Sequence, residues 1–410
     1  FSQRMVMSAD MARENNADAI AQGVDATYVM PFYEGDLKLG AYLHHSRNNS
    51  TITNPNNGMF FVDNFTNVEK DTASVYAEWQ RDKASFSTTI GTRYTRVDMD
   101  AGLAGSNMVM MNPAIASLVD DFNAAERSKS YNMLDIAAST RYHASDNVDV
   151  VLGVSQKNRA PTYFERYTWL PLGISGGMAD GFNYIGNLAL DNETARQIDV
   201  GIDYRFKSWS VSPRLFYQDI EDYITGSPST NMAANMVSTM MAGTTPFQWT
   251  NTDAVIKGAD LTVSGNVFDN VKLNAVASVQ HGNRDDIDDA LFRIAPEQLI
   301  TTIQWDTQLL DVPMALQLTS ELVGAQNHVS ALQSENTTAG YGLVHITGLF
   351  TLIDNAQSNL QVTATVHNLF DKHYAPHTAG INRVVNTDVA VGERVPAAGR
   401  EWHLSLSYRF

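Results

Sequence analysis

Hydrophobic and polar residues alternate along much of this chain, and the last eleven residues show the pattern most clearly. Trp402, Leu404, Leu406, Tyr408 and Phe410 alternate with His403, Ser405, Ser407 and Arg409. Because successive side chains of a strand point to opposite faces, this pattern predicts a strand with one apolar face and one polar face. Such a strand covers the core of a soluble sandwich, or it separates lipid from a wet lumen in an outer-membrane barrel.

The same alternation recurs in pairs of stretches that are joined by short, turn-like connections. The predicted pairs are 18–31 with 37–46, 71–81 with 85–97, 129–143 with 148–158, 194–206 with 210–223, 255–267 with 271–281, 295–305 with 313–323, and 341–353 with 359–371. Together with a strand at 1–9 and the final strand at 400–410, they give about sixteen strands.

The lengths of the connections separate the two interpretations. Short turns and long connections occur in strict alternation, so all long connections fall on one side of the sheet. The long connections are 47–69, 98–128, 159–193, 224–254, 282–294, 324–340 and 372–399. Outer-membrane barrels show this asymmetry, with short periplasmic turns and long extracellular loops. The sequence therefore predicts an all-β fold, an antiparallel transmembrane β-barrel.

Composition is consistent with a barrel and excludes several other classes of protein. The 410 residues contain no run of eighteen apolar residues, so a helical membrane span is not predicted. A barrel is the other structure that can cross a bilayer. The chain has no cysteine, and its net charge of −17 argues against nucleic acid as a partner. It begins at Phe1 without a leader, from which we expect a processed or partial chain.

Four separated blocks resemble those of the TonB-dependent outer-membrane receptors. They are 158–165 (Asn-Arg-Ala-Pro-Thr-Tyr-Phe-Glu), 187–201 (with Asn187, Leu190, Glu193 and Gly201), 251–260 (with Asn251, Gly258 and Asp260) and 367–374 (His-Asn-Leu-Phe-Asp-Lys-His-Tyr). The blocks occur in the family's order and spacing, and the resemblance covers about 158–410. We interpret them as architectural residues at strand ends, where an aromatic side chain meets the membrane interface and Asn or Asp satisfies the opened backbone.

The resemblance implies more than the residues show. Barrels of this family have about 22 strands and a plugged lumen, so we expect residues 1–410 to be a partial barrel that lacks the N-terminal plug and the first strands. The resemblance also implies a bacterial outer-membrane location and active uptake of a scarce nutrient. The implied partners are the TonB-ExbB-ExbD complex through the plug, outer-membrane lipid and lipopolysaccharide, the BAM insertion machinery, and a metal or metal-chelate ligand. No cofactor and no catalysis are expected.

Methionine clusters are the candidate contacts for the cargo. Met108, Met110 and Met111 lie in the connection 98–128, and Met232, Met236, Met240 and Met241 lie in the connection 224–254. A short helix would place Met232, Met236 and Met240 on one face. Thioethers are soft ligands that select Cu(I). Stretches 212–226 and 322–330 also resemble the branch of the family that includes the copper receptors.

Several alternatives stay open at this point. The methionines could simply pack the loops, because methionine fills irregular gaps well. The cargo could be a ferric siderophore, and a passive porin or a structural surface barrel would show the same strand pattern. The acidic stretch 284–289 could hold Ca²⁺, and His44, His45, His373 and His377 could bind a metal, although no spacing here resembles a closed zinc site.

Overall fold

The computed structural model describes residues 2–5, 12–83, 85–310, 312–355, 357–385 and 387–410, with backbone alone for 2–5. Eighteen strands occur in these residues. They are β1 (Ser2–Met5), β2 (Arg13–Phe32), β3 (Gly35–Asn54), β4 (Asn57–Lys83), β5 (Phe86–Asp100), β6 (Gly105–Ser106), β7 (Lys129–Ser145), β8 (Val148–Arg159), β9 (Tyr184–Ile185), β10 (Glu193–Phe206), β11 (Trp209–Pro228), β12 (Phe247–Phe268), β13 (Val271–Arg284), β14 (Gln298–Leu309), β15 (Val312–Val323), β16 (Tyr341–Asp354), β17 (Asn359–His367) and β18 (Glu401–Arg409).

The long strands form one antiparallel sheet. Continuous registers join β2, β3, β4, β5, β7, β8 and β10 to β18 in that order, and we call these strands the strand wall. β1 pairs with β2, and the two-residue strands β6 and β9 pair with β4 and β12. Sixteen of the eighteen described strands have four or more residues, which agrees with the predicted number of about sixteen. The predicted all-β antiparallel barrel fold is confirmed.

Each strand of the wall has one apolar and one polar face, as the alternation predicts. In β10, Ile198, Val200 and Ile202 are exposed on one face. On the other face Asp203 is buried by ion pairs with Arg141 and Arg214. An unsupported charge on a lipid-facing surface is costly, so the apolar face is the lipid face and the polar face lines the lumen.

The turn between β2 and β3 shows how the short connections are made. Tyr33 and Glu34 have φ of 49° and 61°. Two consecutive residues with positive φ are typical of the type I′ turn, whose twist matches that of the flanking strands. The turn lies within the predicted connection 32–36, and β2 and β3 are both longer than predicted.

Two strand predictions at the N-terminal end need correction or restriction. The predicted long connection 47–69 is wrong, because β3 and β4 continue into it as a hairpin that turns at Pro55 and Asn56. The two strands of the hairpin continue this far because Ile52, Val62 and Val68 are buried against other connections. Of the strand predicted at 1–9, Ser2–Met5 is found, and residues 1 and 6–9 lie outside the described residues.

The hydrophobic core lies in the long connections rather than between the strands of the wall. Three clusters of buried apolar side chains are found there or at the adjoining strand ends. We call residues 49–68, 101–128, 160–192, 229–246, 285–297, 324–340 and 368–400 the loop cap. It contains a 3-10 helix (Asn107–Met110) and the helices α1 (Pro113–Ala124), α2 (Tyr163–Tyr167) and α3 (Met232–Ala242). None of the helices in the described residues is both long and apolar enough to span a bilayer.

Hydrogen bonds within the four sequence blocks support their architectural interpretation. Arg159 of the first block donates to Glu193 of the second at 2.7 Å. Asn251 of the third block donates its amide N–H to the carbonyl oxygen of Asp222 at 2.7 Å. Asn368 of the fourth adopts φ of 47° and donates to the carbonyl oxygen of Lys372 at 2.8 Å. The bonds of Asn251 and Asn368 satisfy backbone carbonyl groups where strands leave the wall, and the bond of Arg159 joins two of the blocks.

Candidate functional site

Two helices of the loop cap pack against each other and position the methionine clusters. α1 begins with Asn112 as N-cap and Pro113 in its first turn, a favourable helix start. α3 begins with Asn231, whose side chain accepts a hydrogen bond from the N–H of Ala234 at 3.0 Å, and ends at Gly243, which has φ of 75°. Ile115 of α1 and Val237 of α3 are buried in the same apolar cluster.

The opposite face of α3 is a stripe of exposed methionines. Met232, Met236 and Met240 have exposed fractions of 80%, 65% and 68%. Residues four apart on a helix have Cβ atoms about 5–6 Å apart, so the thioethers of successive turns can reach one ligand. Met241 is also exposed. The connection 224–254 thus contains a helix that places Met232, Met236 and Met240 on one face, and their side chains are exposed.

The other methionine cluster divides into one buried and two exposed residues. Met108 lies in the 3-10 helix, is 8% exposed, and packs in the same core as Ile115. Met110 and Met111 are 90% and 76% exposed at the end of that helix. Met108 therefore behaves as the loop-packing alternative predicts, whereas Met110 and Met111 offer free sulfur atoms.

Asn183 links three segments of the loop cap. Its side-chain amide donates to the hydroxyl of Ser238 in α3 at 3.2 Å and accepts from the guanidinium of Arg383 at 2.6 Å. Its carbonyl oxygen accepts from the N–H of Phe247 at 2.9 Å. Asn183 is almost fully buried, and a buried amide that makes several hydrogen bonds fixes the relative positions of its partners. α3 is therefore held at both of its ends and at Ser238.

Beside Asn183 lies a pair of buried acidic groups with altered pKa values. The hydroxyl of Tyr184 donates to the carboxylate of Asp180 at 2.7 Å. Burial raises the pKa of Asp180, and this outweighs the hydrogen bond from Tyr184. Burial and the nearby Asp180 raise the pKa of Tyr184 as well. The ring of Tyr184 stacks on Trp249 with centroids 4.5 Å apart, so this pair is an internal support of the cap.

A buried ion pair joins the last two long connections. The imidazole of His377 lies 2.9 Å from the Glu335 carboxylate, and both side chains are almost completely buried. The other ring nitrogen of His377 contacts the hydroxyl of Thr338 at 3.0 Å. Burial raises the pKa of Glu335, but hydrogen bonds from His377 and from the N–H groups of Ser330 and Arg293 lower it overall. Both ring nitrogens of His377 have protein partners, so a structural role suits it better than metal binding.

The acidic stretch 284–289 is also engaged within the protein. Arg284 pairs with Asp286 at 2.7 Å, and hydrogen bonding to Arg284 lowers the pKa of Asp286 to about 2. Asp289 accepts hydrogen bonds from the hydroxyl of Ser330 and the N–H of Ala331. Across the described residues, no group of three or more His, Asp or Glu side chains is arranged to hold a metal ion. The structure thus gives no support to a Ca²⁺ site in this stretch.

A row of imidazoles on the polar face of the last strands was not predicted from the sequence. The rings of His345 and His367 have centroids 5.3 Å apart, and those of His367 and His403 are 5.2 Å apart. The three residues lie on β16, β17 and β18. In the sequence, each is a single polar residue in an alternating strand, and the row forms only when the registers are known.

Comparison with known proteins gives one family. The model described as "TonB dependent receptor-like, beta-barrel" matches residues 9–369. The ferric enterobactin receptor PirA of Pseudomonas aeruginosa is 23% identical over 279 residues, which are 64% of this chain and 34% of that protein.

Solved structures with the same fold include receptors for different cargoes. The copper transporter OprC superposes with a TM-score of 0.76 at 18% identity, over 97% of this chain and 57% of that chain. The ferric yersiniabactin uptake receptor FyuA of Yersinia pestis gives a TM-score of 0.62 at 14% identity, over 97% of this chain and 55% of that one. The chain therefore spans little more than half the length of these structures.

Proposed function

The chain belongs to the TonB-dependent receptors of the outer membrane, and from this we propose that it captures a metal ion or metal chelate at the cell surface for import with energy from TonB. Residues 1–410 supply barrel wall and capture surface in this proposal. The plug and the contact with the TonB-ExbB-ExbD complex come from a part of the receptor outside these residues. Lipid and lipopolysaccharide surround the wall, and the BAM machinery inserts it.

The exposed methionine stripe of α3 is the observation that carries a proposal about the cargo. Exposing several large apolar side chains in a row is unfavourable unless they serve a contact. The stripe lies on a helix whose other face is firmly packed through Ala234 and Val237, so its side chains are presented on a fixed support. Thioethers are soft ligands that select Cu(I) over hard ions such as Mg²⁺ and Ca²⁺. We therefore propose copper, as Cu(I), as the cargo that α3 contacts first.

The name of OprC, a copper transporter, agrees with this proposal, whereas the names of PirA and FyuA favour the alternative. That alternative is a ferric-siderophore receptor of the same fold. A siderophore is a large ligand that a receptor contacts with many side chains, so its binding would not depend on four thioethers. The two proposals thus differ in whether the methionines of α3 are required.

A titration of the full-length receptor with Cu(I) in detergent, under reducing conditions, tests the proposal. The wild-type protein should bind Cu(I) with nanomolar to micromolar affinity, and the quadruple variant with Met232, Met236, Met240 and Met241 replaced by leucine should lose this binding. Leucine is close to methionine in volume and keeps the helix, so α3 should remain folded.

The matched control is Met108→Leu, which changes the one methionine of the set that is packed in the core. It should bind Cu(I) like the wild type. Equal Cu(I) titrations of the quadruple variant and the wild type would contradict the copper proposal. Growth of a deletion strain then separates the alternatives, because a siderophore receptor predicts a defect under iron starvation and a passive porin predicts conductance without TonB.

A further inference from the structure

Three histidines and two glutamates lie together on the lumen side of β15 to β18. In β18 the apolar residues Trp402 and Leu404 face lipid, so Glu401 and His403 face the lumen. His367 is directly opposite Glu401 in the register of β17 with β18 and therefore has the same orientation. His345 is the next neighbour in the row, and Glu321 lies beside it at 3.7 Å.

The spacing of the rings is that of imidazoles that share an ion. With metal–nitrogen distances of about 2.0–2.1 Å, two imidazoles on one tetrahedral ion have ring centres roughly 5 Å apart. The centroids of His367 and His403 are 5.2 Å apart with the ring planes at 80°. Both side chains are exposed to the lumen, so an ion in transit can reach them.

Hydrogen bonding separates His345 from the other two histidines. The backbone N–H of Asn368 donates to Nδ1 of His345 at 3.1 Å, so this nitrogen acts as an acceptor. In the neutral ring the proton is then on Nε2, which faces the Glu321 carboxylate. Nδ1 of His345 is therefore already engaged by the backbone, whereas no side-chain hydrogen bond of His367 or His403 occurs among the described contacts.

We infer that His367 and His403 form a binding site for a divalent transition-metal ion that prefers imidazole, such as Cu(II) or Zn(II), on the inner wall of the barrel. The exposed carboxylate of Glu401, opposite His367, completes the site by turning toward the ion. In the described residues no three such groups already surround one point, so the ring pair makes the first contact. The ring of His345 packs edge-on against that of His367 and is not a ligand in this site.

The surroundings of the ring pair are suited to a cation. The row of histidines lines a cavity of about 310 Å³, and Tyr374 and residues 397–399 line the same cavity. The Glu321 and Glu401 carboxylates line the same cavity. Two carboxylates give the cavity a negative charge, which attracts a divalent ion.

This site deepens the proposed uptake function and rests on it for its role, but its chemistry differs from that of the α3 stripe. Thioethers bind Cu(I), whereas imidazoles bind Cu(II) and Zn(II). A Cu(I) titration therefore reports on the stripe, and Cu(II) under oxidising conditions reports on the ring pair. Failure of one site can be distinguished from failure of the other.

Electron paramagnetic resonance of the full-length receptor with one equivalent of Cu(II) tests the assignment. The wild-type spectrum should show hyperfine coupling to two imidazole nitrogens, and His367→Gln and His403→Gln should each leave one. The double variant should bind Cu(II) at least tenfold more weakly. Binding should also weaken in acid, because protonated imidazole cannot coordinate a metal.

His345→Gln is the matched control, since it changes a histidine of the same row. It should keep both nitrogen couplings, as should the α3 quadruple variant. Spectra that are equal in the wild type and in the double His367→Gln, His403→Gln variant would overturn the site. A loss of coupling in His345→Gln as large as that in His367→Gln would overturn the assignment to two rings. Far-UV circular dichroism confirms that each variant is folded.

Discussion

The strand wall and the loop cap are stabilised in different ways. In β18 of the wall every residue is exposed, and apolar side chains such as Leu404 gain their stability from lipid. In the cap, Trp169 and Val237 are buried against other segments of the chain. Both faces of the wall are exposed, to lipid on one side and to the lumen on the other. The cap has an internal hydrophobic core, like a small soluble domain. The cap is therefore stabilised by its own core, and the wall is stabilised by the bilayer.

The two regions also differ in the sequence separation of their contacts. The turns of the wall join residues that are close in sequence, such as Phe206 and Trp209. The cap is held by distant contacts, such as the 2.9 Å hydrogen bond from the indole of Trp169 to the carbonyl oxygen of Asp63. A change in the cap should therefore act on several loops at once, whereas a change in the wall should act through the bilayer.

The largest expected effect comes from replacing two tryptophans, one in the cap and one in the wall. Trp169→Ala removes a side chain from the core of the cap and should destabilise it by about 3–5 kcal/mol. Trp402→Ala removes one that faces lipid in the wall. Hydrogen exchange of the amides of α1, at 114–124, should accelerate strongly in Trp169→Ala and stay unchanged in Trp402→Ala. Equal acceleration in both variants would mean that cap and wall are one stabilising unit.

A second prediction concerns the two faces of the wall. Val200→Arg puts a charge on the lipid face in the middle of β10 and should cost about 2–4 kcal/mol in a bilayer. Ser155→Arg puts the same charge on the lumen face of β8, opposite Gln197, and should be tolerated. Unfolding by denaturant in lipid vesicles measures both. The reverse order of stabilities would show that the faces have been assigned wrongly.

A smaller effect is expected from acid in the cap. The pKa of Glu335 in the folded protein is below its ordinary value of 4.5. Its ionised form therefore stabilises the cap fully above that value, and the stabilisation is lost as the pH falls below it. Hydrogen bonds to a charged group contribute about 1.5–3 kcal/mol, so the cap should loosen by roughly this amount.

Thermal unfolding of the cap, followed by tryptophan fluorescence between pH 6 and pH 3, measures this loss. Glu335→Gln should be less stable at pH 6 and should show a weaker dependence on pH. Asp388→Asn, which changes an exposed carboxylate in the connection that carries His377, should behave like the wild type. A variant Glu335→Gln with the full pH dependence would assign the effect to other groups.

The sequence was sufficient for most of the wall. The period-two pattern predicted the strands because each strand has one lipid face, and the spacing of Met232, Met236 and Met240 indicated that a helix there would place them on one face. The packing of the cap was not predictable, because Asn183 and Arg383 are 200 positions apart. The row of His345, His367 and His403 was missed for a similar reason. The long connection 372–399 separates β17 from β18, so the register between these two strands does not follow from the sequence.

The most direct test of the division between wall and cap replaces Asn231–Gly243, the whole of α3 with its caps, by a short Gly-Ser linker. Pro228 and Phe247 are paired in the wall, so the linker closes an existing hairpin. We predict that the receptor still inserts and shows the mobility shift on heating that is typical of a folded barrel, but that Cu(I) binding is lost. Retained Cu(I) binding in a folded barrel, or failure of the barrel to fold, would contradict the account.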